Sequence, residues 1–133
     1  MGTERIICDT DVMIDYWDIQ NPRHSQTLDI LENAIFIENI VLAAITKMEL
    51  ILGATNKKDL NAINKHLLNY NVSMINDSIT EVAISLIQKY SLSHGLVLPD
   101  SLVASTAIVT NLKLFTYNKR DFVFIEGLRL YQP

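Results

Sequence analysis

Short apolar runs alternate with amphipathic segments along the whole chain, and this alternation limits the folds that the sequence can adopt. The runs cover residues 5–8, 40–45, 72–75 and 113–117. Continuous apolar runs of this length, bounded by polar residues, are typical of strands that are buried on both faces. We therefore predict a mostly parallel sheet, with residues 128–131 as a last strand at its edge.

Segments with apolar residues at helical spacing lie between these runs. They cover residues 11–17, 25–37, 46–53, 57–68, 78–90 and 99–110. Two of them begin with the pattern of a capping box, Thr46 with Glu49 and Ser78 with Glu81. Right-handed crossovers between parallel strands place the intervening helices on both faces of the sheet. The predicted class is α/β, a three-layer α/β/α sandwich with a mostly parallel central sheet.

Length and charge narrow the classes of protein further. The chain has 133 residues, 49% of them apolar, and this is enough for one hydrophobic core, so we predict a single domain over residues 1–133. The formal net charge of −4 disfavours a purely electrostatic nucleic-acid binder. No apolar stretch reaches the roughly 18 residues that cross a bilayer, and no signal peptide is visible. We predict a cytoplasmic protein without membrane contact, with Cys8 as a buried, unreactive thiol.

Acidic and polar residues follow the predicted strands directly. In an open parallel sheet, ligands bind outside the carboxyl ends of the strands, so these positions are the candidates for a site. Each of them could instead be a helix cap or complement a helix dipole. Several carboxylates at one edge would repel one another, and a fold that keeps them there is expected to hold a cation. The residues at this predicted edge are Asp9, Asp11, Thr46, Glu49, Asp100, Asn118 and Asp121.

The types of these residues indicate which cation would bind. Oxygen ligands select Mg²⁺ or Mn²⁺ over zinc. The three histidines, His24, His66 and His94, are far apart in the sequence, and there is a single cysteine. A metal held by carboxylates with open water positions suits hydrolysis of phosphate esters. The sequence therefore predicts a nuclease or a phosphatase.

Four motifs, in order along the chain, resemble those of PIN-domain ribonucleases. They are IICDTDVMIDYW, ITKMELILGA, LPDSLVASTAI, and LFTYNKRDF followed by GLRLYQP. The ordered set spans nearly the whole chain, and its short length resembles the VapC-type toxins of bacterial toxin–antitoxin pairs. The resemblance implies a metal-dependent endoribonuclease that uses Mg²⁺ or Mn²⁺, cleaves an RNA substrate, pairs with a cognate antitoxin and forms a homodimer.

The resemblance also assigns roles to individual residues. Asp9, Glu49 and Asp100 match the three acids of the family, and all three are implied to be catalytic metal ligands. Asp121 is implied to be a further catalytic metal or water ligand. Four further positions are implied to support the acids: Thr46, Thr116, Asn118 and Asp11. Of these, Thr46 and Thr116 would do so by hydrogen bonds.

Two alternatives and one secondary prediction accompany this interpretation. A haloacid-dehalogenase-like phosphatase would use Asp9 as its nucleophile, but Met13 departs from that family's motif. A non-catalytic PIN-like protein-binding module would use its helices instead, and the side chains of Ile14, Tyr16 and Trp17 could form either core or a groove for an amphipathic antitoxin helix. Near the fourth motif, Lys119 and Arg120 are candidates for contacts with RNA phosphates.

Overall fold

The computed structural model describes residues 4–133. Four strands form one sheet in the order β3-β2-β1-β4, and every pair is parallel, as predicted. The predicted strand at residues 128–131 is reduced to one parallel bridge between Leu114 and Leu130. The strands are β1 (Ile6–Cys8), β2 (Ile40–Ala43), β3 (Asn71–Ser73) and β4 (Lys113–Phe115).

Helices connect and follow these strands. The α-helices are α1 (Thr10–Trp17), α2 (His24–Asp29), α3 (Ala44–Leu52), α4 (Lys57–Leu67), α5 (Asp77–His94) and α6 (Leu98–Thr110). A π-helical turn, Ile30–Ile35, continues α2, and short 3₁₀ turns occupy Ile37–Asn39 and Lys119–Asp121. Within residues 4–133, no helix combines the length and apolarity needed to cross a membrane.

The sheet is covered on both faces, which confirms the predicted three-layer α/β/α arrangement. Ile6 and Cys8 of β1 pack in a core with buried residues of α1, α3, α4 and the π-helical turn. Ile7, on the opposite face of β1, packs in a second core with residues of α5 and α6. Because both faces are buried, every residue of β1 and β2 is apolar. Cys8 is buried as predicted, and burial raises the pKa of its thiol.

Several predicted helix boundaries are wrong, each for a local reason. Helix α3 begins at Ala44, so Thr46 lies inside the helix and forms no capping box with Glu49. Helix α5 begins at Asp77 because the Asn76 side chain accepts a hydrogen bond from the amide of Ile79 at 2.9 Å, and Ser78 is therefore not the cap.

The predicted helix over residues 25–37 is also divided. It begins as α2 at His24, widens into the π-helical turn and ends at Phe36, whose φ of 72° interrupts the helical backbone. The side-chain amide of Asn39 donates to the carbonyl of Ile35 at 2.8 Å and satisfies an acceptor at the end of that turn.

The order in which strands are added to the sheet reverses at β1. The chain adds β2 and β3 on one side of β1 and returns to place β4 on the other. In open α/β sheets, such a switch point opens a crevice outside the carboxyl ends of the strands. The residues that directly follow β1 and β4 therefore face the place where a ligand is expected.

Candidate active site

Asp9 lies at the switch point, directly after β1. Its side chain is 7% exposed. One carboxylate oxygen, Oδ1, accepts from the amide of Thr10 at 2.9 Å, so Asp9 is the N-cap of α1. The other, Oδ2, accepts from the hydroxyl of Thr116 at 2.8 Å. Thr116 follows β4, so this hydrogen bond joins the ends of β1 and β4 at the acid.

Glu49 reaches the same crevice from α3. Its Oε1 accepts from the hydroxyl of Thr10 at 2.7 Å, a contact between residues 39 positions apart in the chain. Thr10 thus touches both acids, since its amide donates to Asp9 and its hydroxyl to Glu49. No sequence motif assigns Thr10 a role in the site; its one signal is its position between Asp9 and Asp11 at the start of a helix.

Asp100 lies in the first turn of α6, as the sequence predicts. Its carboxylate makes no hydrogen bond or ion pair with the part of the chain that the structure describes. Burial is the largest effect that raises the pKa of its carboxyl, to about 6, and neighbouring negative charges add to it. In decreasing order of effect, these charges belong to Asp9, Asp121, Glu49 and Asp11.

Asp121 and Asn118 belong to the segment after β4. Asp121 ends a 3₁₀ turn, and its charge contributes to raising the pKa of both Asp9 and Asp100. The backbone amide of Asn118 donates to the Thr116 hydroxyl at 3.0 Å. That hydroxyl in turn donates to Asp9, so Asn118 supports the acid through its backbone.

Asp11 joins α1 to the end of β4. Its Oδ1 accepts from the amide of Val12 at 2.8 Å and its Oδ2 from the amide of Tyr117 at 3.0 Å. Burial, followed by the charge of Asp9, raises its pKa to about 6. Asp11 is therefore near the other acids, but both of its oxygens already hold backbone amides.

Three further predicted residues are Thr46, a supporting position, and Lys119 and Arg120, the candidates for phosphate contacts. Thr46 is fully buried, and its hydroxyl has no hydrogen-bond partner among residues 4–133, so the prediction that it holds an acid by a hydrogen bond is wrong. The Lys119 ammonium donates to the side chain of Gln132 at 2.9 Å. Arg120 is exposed, and no hydrogen bond or ion pair of its side chain occurs in the described residues.

The acids brought together here fit a hard divalent cation. The pKa of Asp9 is raised chiefly by burial, and the charges of Glu49 and Asp121 add to that effect. Within residues 4–133, no three Asp, Glu, His or Cys side chains stand close enough together to form a metal-ligand group as they are placed. The donor atoms of the acids are all oxygens, the ligands that Mg²⁺ and Mn²⁺ prefer. A cation held between these acids would offset the repulsion that helps to raise the pKa of Asp9 and Asp100.

The fold and this acidic crevice define an α/β/α protein with a carboxylate site at the switch point of a parallel sheet. Residues 6–126 match the PIN domain family, and the chain belongs to that family. A search of curated proteins finds no match. The phosphatase alternative loses its support, because it required membership of a different family.

Several solved structures are similar to this chain over nearly its whole length. A chain of a toxin–antitoxin complex from Klebsiella pneumoniae is 27% identical, with a TM-score of 0.74 over 96% of this chain and 99% of that one. A chain of FitAcB from Neisseria gonorrhoeae is 25% identical, with a TM-score of 0.74 and 96% of each chain covered. A chain of DNA-bound VapBC from Salmonella typhimurium, 21% identical with a TM-score of 0.76, covers 96% of this chain and 97% of its own length and shares the fold.

Proposed function

We propose that this protein is a Mg²⁺- or Mn²⁺-dependent endoribonuclease and the toxin of a toxin–antitoxin pair, acting in the cytoplasm as one domain. The observation that carries the proposal is the set of acids in the crevice, Asp9, Glu49, Asp100 and Asp121. Membership of the PIN family and the similarity to chains of toxin–antitoxin complexes support it. Cleavage of RNA by the purified chain, with and without a chelator, tests it.

The residues of the crevice would have different roles in such a reaction. We assign Asp9, Glu49 and Asp100 as the metal ligands, with Asp121 as a further ligand of the metal or of its water. A bound cation would polarise the phosphodiester and lower the pKa of the attacking water. Thr116 and Thr10 fix the carboxylates of Asp9 and Glu49 in place, at 2.8 Å and 2.7 Å. Asp11 holds the backbone after β4 beside them.

The toxin assignment predicts an effect on cells. Expression of the wild-type chain without a partner should arrest bacterial growth, because the acid cluster would cut cellular RNA. Asp100→Asn, expressed at the same level, should relieve the arrest. Colony counts and immunoblots of soluble protein measure this, and normal growth at confirmed soluble wild-type expression would contradict the assignment.

We propose that an antitoxin binds in the groove between α1, α3 and α4. This groove has a volume of about 450 Å³. Apolar side chains, including Ile14 and Trp17, lie beside Glu49 and two further acids, Asp18 and Asp59. An amphipathic helix with basic residues along its edge complements such a groove. Since Glu49 lines it, the same helix would cover part of the acid cluster.

Ile14→Asp should test the groove without disturbing the fold, because Ile14 is 48% exposed. We expect it to weaken binding of the cognate antitoxin by at least about tenfold while RNA cleavage continues, since a charge would be desolvated in an apolar contact. Ile84→Asp is the matched control, 52% exposed on α5. Equal affinity of both variants in calorimetry would show that the partner binds elsewhere.

We also propose that the chain forms a homodimer. Leu92, Val97 and Leu98 are exposed apolar residues at the junction of α5 and α6. Exposed apolar residues that are close together are typical of association surfaces. Sedimentation of the purified chain gives its mass, and a monomer at all concentrations would contradict this part of the proposal.

A further inference from the structure

A second acid of α1, which is not one of the proposed metal ligands, has a partner on each of its carboxylate oxygens. Asp15 is 3% exposed. Its Oδ2 accepts from the Nε of Arg23 at 2.6 Å, and its Oδ1 accepts from the side-chain amide of Asn21 at 2.8 Å. A buried carboxylate with these partners cannot move easily, because breaking such a pair leaves an uncompensated charge. Asp15 is therefore a rigid anchor for the guanidinium of Arg23.

Arg23 is also held from a second direction. Its guanidinium carbon lies 4.2 Å from the centre of the Tyr117 ring. The Tyr117 hydroxyl is within 2.6 Å of the hydroxyl of Thr27, which fixes the ring, and the Tyr117 amide donates to Asp11. The Arg23 guanidinium thus lies over Tyr117, which contacts Asp11 beside the acid cluster at the end of β4.

The guanidinium has donors left over. Only its Nε is used in a hydrogen bond within residues 4–133, and the side chain is 47% exposed. A guanidinium presents five N–H donors in a planar fork that matches the oxygens of a phosphate. Its orientation is set before binding, so little side-chain entropy remains to be lost when a phosphate arrives. Lys119 and Arg120, the positions that the sequence suggested for phosphate contacts, have no comparable anchor.

We propose that Arg23 binds a backbone phosphate of the RNA substrate beside the acid cluster and so sets the path of the strand. This inference rests on the proposed ribonuclease function. The positive charge of Arg23 would offset the repulsion between RNA phosphates and the acidic crevice. The net charge of the chain, −4, adds to that repulsion. The competing explanation is that Arg23 serves only to neutralise Asp15.

RNA binding distinguishes the two explanations. The background is Asp100→Asn, which should bind RNA in Mg²⁺ without cutting it, and the probe is a fluorescently labelled single-stranded RNA oligonucleotide. Adding Arg23→Gln to this background should weaken the affinity of the protein for the RNA by at least about tenfold, because one charge-assisted hydrogen-bonding group is lost. The slope of log K against log salt should become smaller by about 0.7, the value for one phosphate contact on a single strand.

Arg129→Gln is the matched control. Arg129 is exposed and held by the carbonyl and side chain of Asn111, at the opposite end of α6 from Asp100. Its removal changes the net charge equally, so its affinity and salt slope should stay close to the background. Equal values for Arg23→Gln and Arg129→Gln would overturn the proposal. Absence of RNA binding by Asp100→Asn itself would overturn the proposed function and this inference with it.

A second measurement covers the case in which Arg23→Gln fails to fold because Asp15 loses its partner. In the Asp100→Asn protein with Arg23 intact, the Nε–H resonance of Arg23 should shift as the same RNA is titrated, whereas that of Arg129 should not. An Arg23 resonance that stays unchanged at saturating RNA would overturn the proposal whatever the variant does. Arg23→Lys should fold, and because it keeps one charge but not the planar fork, it should bind RNA more weakly than the background.

Discussion

Asp100→Asn should lower the rate of RNA cleavage by at least about 100-fold and leave the protein folded. Loss of an outer-shell partner of a metal ligand already costs about 10- to 100-fold, so loss of a ligand charge should cost no less. The Asp100 carboxylate accepts no hydrogen bond from the described residues, so replacing it with an amide removes the charge without breaking a hydrogen bond. Cleavage of a labelled RNA by wild type and variant at equal concentration in Mg²⁺ or Mn²⁺ measures the effect.

Asp77→Asn is the control that separates catalysis from helix capping. Asp77 lies in the first turn of α5, as Asp100 lies in the first turn of α6, so both carboxylates complement a helix dipole. Only Asp100 is close to the other acids. We expect Asp77→Asn to keep the wild-type rate, and wild-type rates for both variants would contradict the assignment of the site.

Asp9→Asn and Glu49→Gln should also remove most activity, and a chelator should abolish cleavage by the wild type. Circular dichroism must show that each variant is folded, since Asp9 also caps α1. Cleavage that continues in chelator, with contaminating nuclease excluded, would contradict the metal-dependent mechanism. A folded wild type that never cleaves RNA would favour the non-catalytic binding module instead.

The sheet and the placement of the acids could be predicted from the sequence because both depend on local patterns. Strand β1 is a short apolar run, and the residue at its end, Asp9, must lie at the sheet edge wherever the rest of the chain goes. Asn118 and Asp121 follow the apolar run of β4 in the same way. Parallel pairing then brings these edges together without any knowledge of side-chain contacts.

The contacts that hold the acids could not be predicted in the same way. Thr10 meets Glu49 across 39 positions of sequence, and Arg23 meets Tyr117 only because α2 packs near the end of β4. Such pairs depend on tertiary packing, which hydrophobic periodicity does not encode. The predicted starts of two helices were wrong for a related reason. A Ser/Thr-x-x-Glu pattern permits a cap at Thr46 or Ser78, but nearby backbone and the Asn76 side chain decide where the helix begins.

Metal binding should raise the melting temperature of the wild type substantially. If the unfolded chain binds no metal, Mg²⁺ or Mn²⁺ at a hundred times its Kd stabilises the folded state by about 2.7 kcal/mol. For a protein of this length, that corresponds to roughly 10 °C. Asp100→Asn should blunt this rise because the cation loses a ligand, whereas Asp77→Asn should respond as the wild type does.

The pH dependence of stability in the metal-free protein provides a second test of the acid cluster. The pKa values of Asp100 and Asp11 are raised from 3.8 to about 6 in the folded state. A carboxyl whose folded pKa lies above its unfolded value stabilises the protein when it is protonated. This contribution is present below about pH 4 and is lost as the pH rises through 6. In chelator, the melting temperature should therefore carry a decreasing contribution from these groups over that interval.

Asp100→Asn isolates the part of this decrease that Asp100 causes. At pH 7 in chelator it should be as stable as the wild type or more stable, because one repelling, partly buried charge is gone and no hydrogen bond is lost. Asp9→Asn is less suitable, since its amide cannot accept both bonds that Asp9 accepts from Thr10 and Thr116. Melting curves at pH 4 and pH 7, with chelator and with millimolar Mn²⁺, measure both effects. If Asp100→Asn melts below the wild type in chelator and metal changes neither protein, Asp100 acts as a helix-terminal charge, and the acid cluster does not bind a cation.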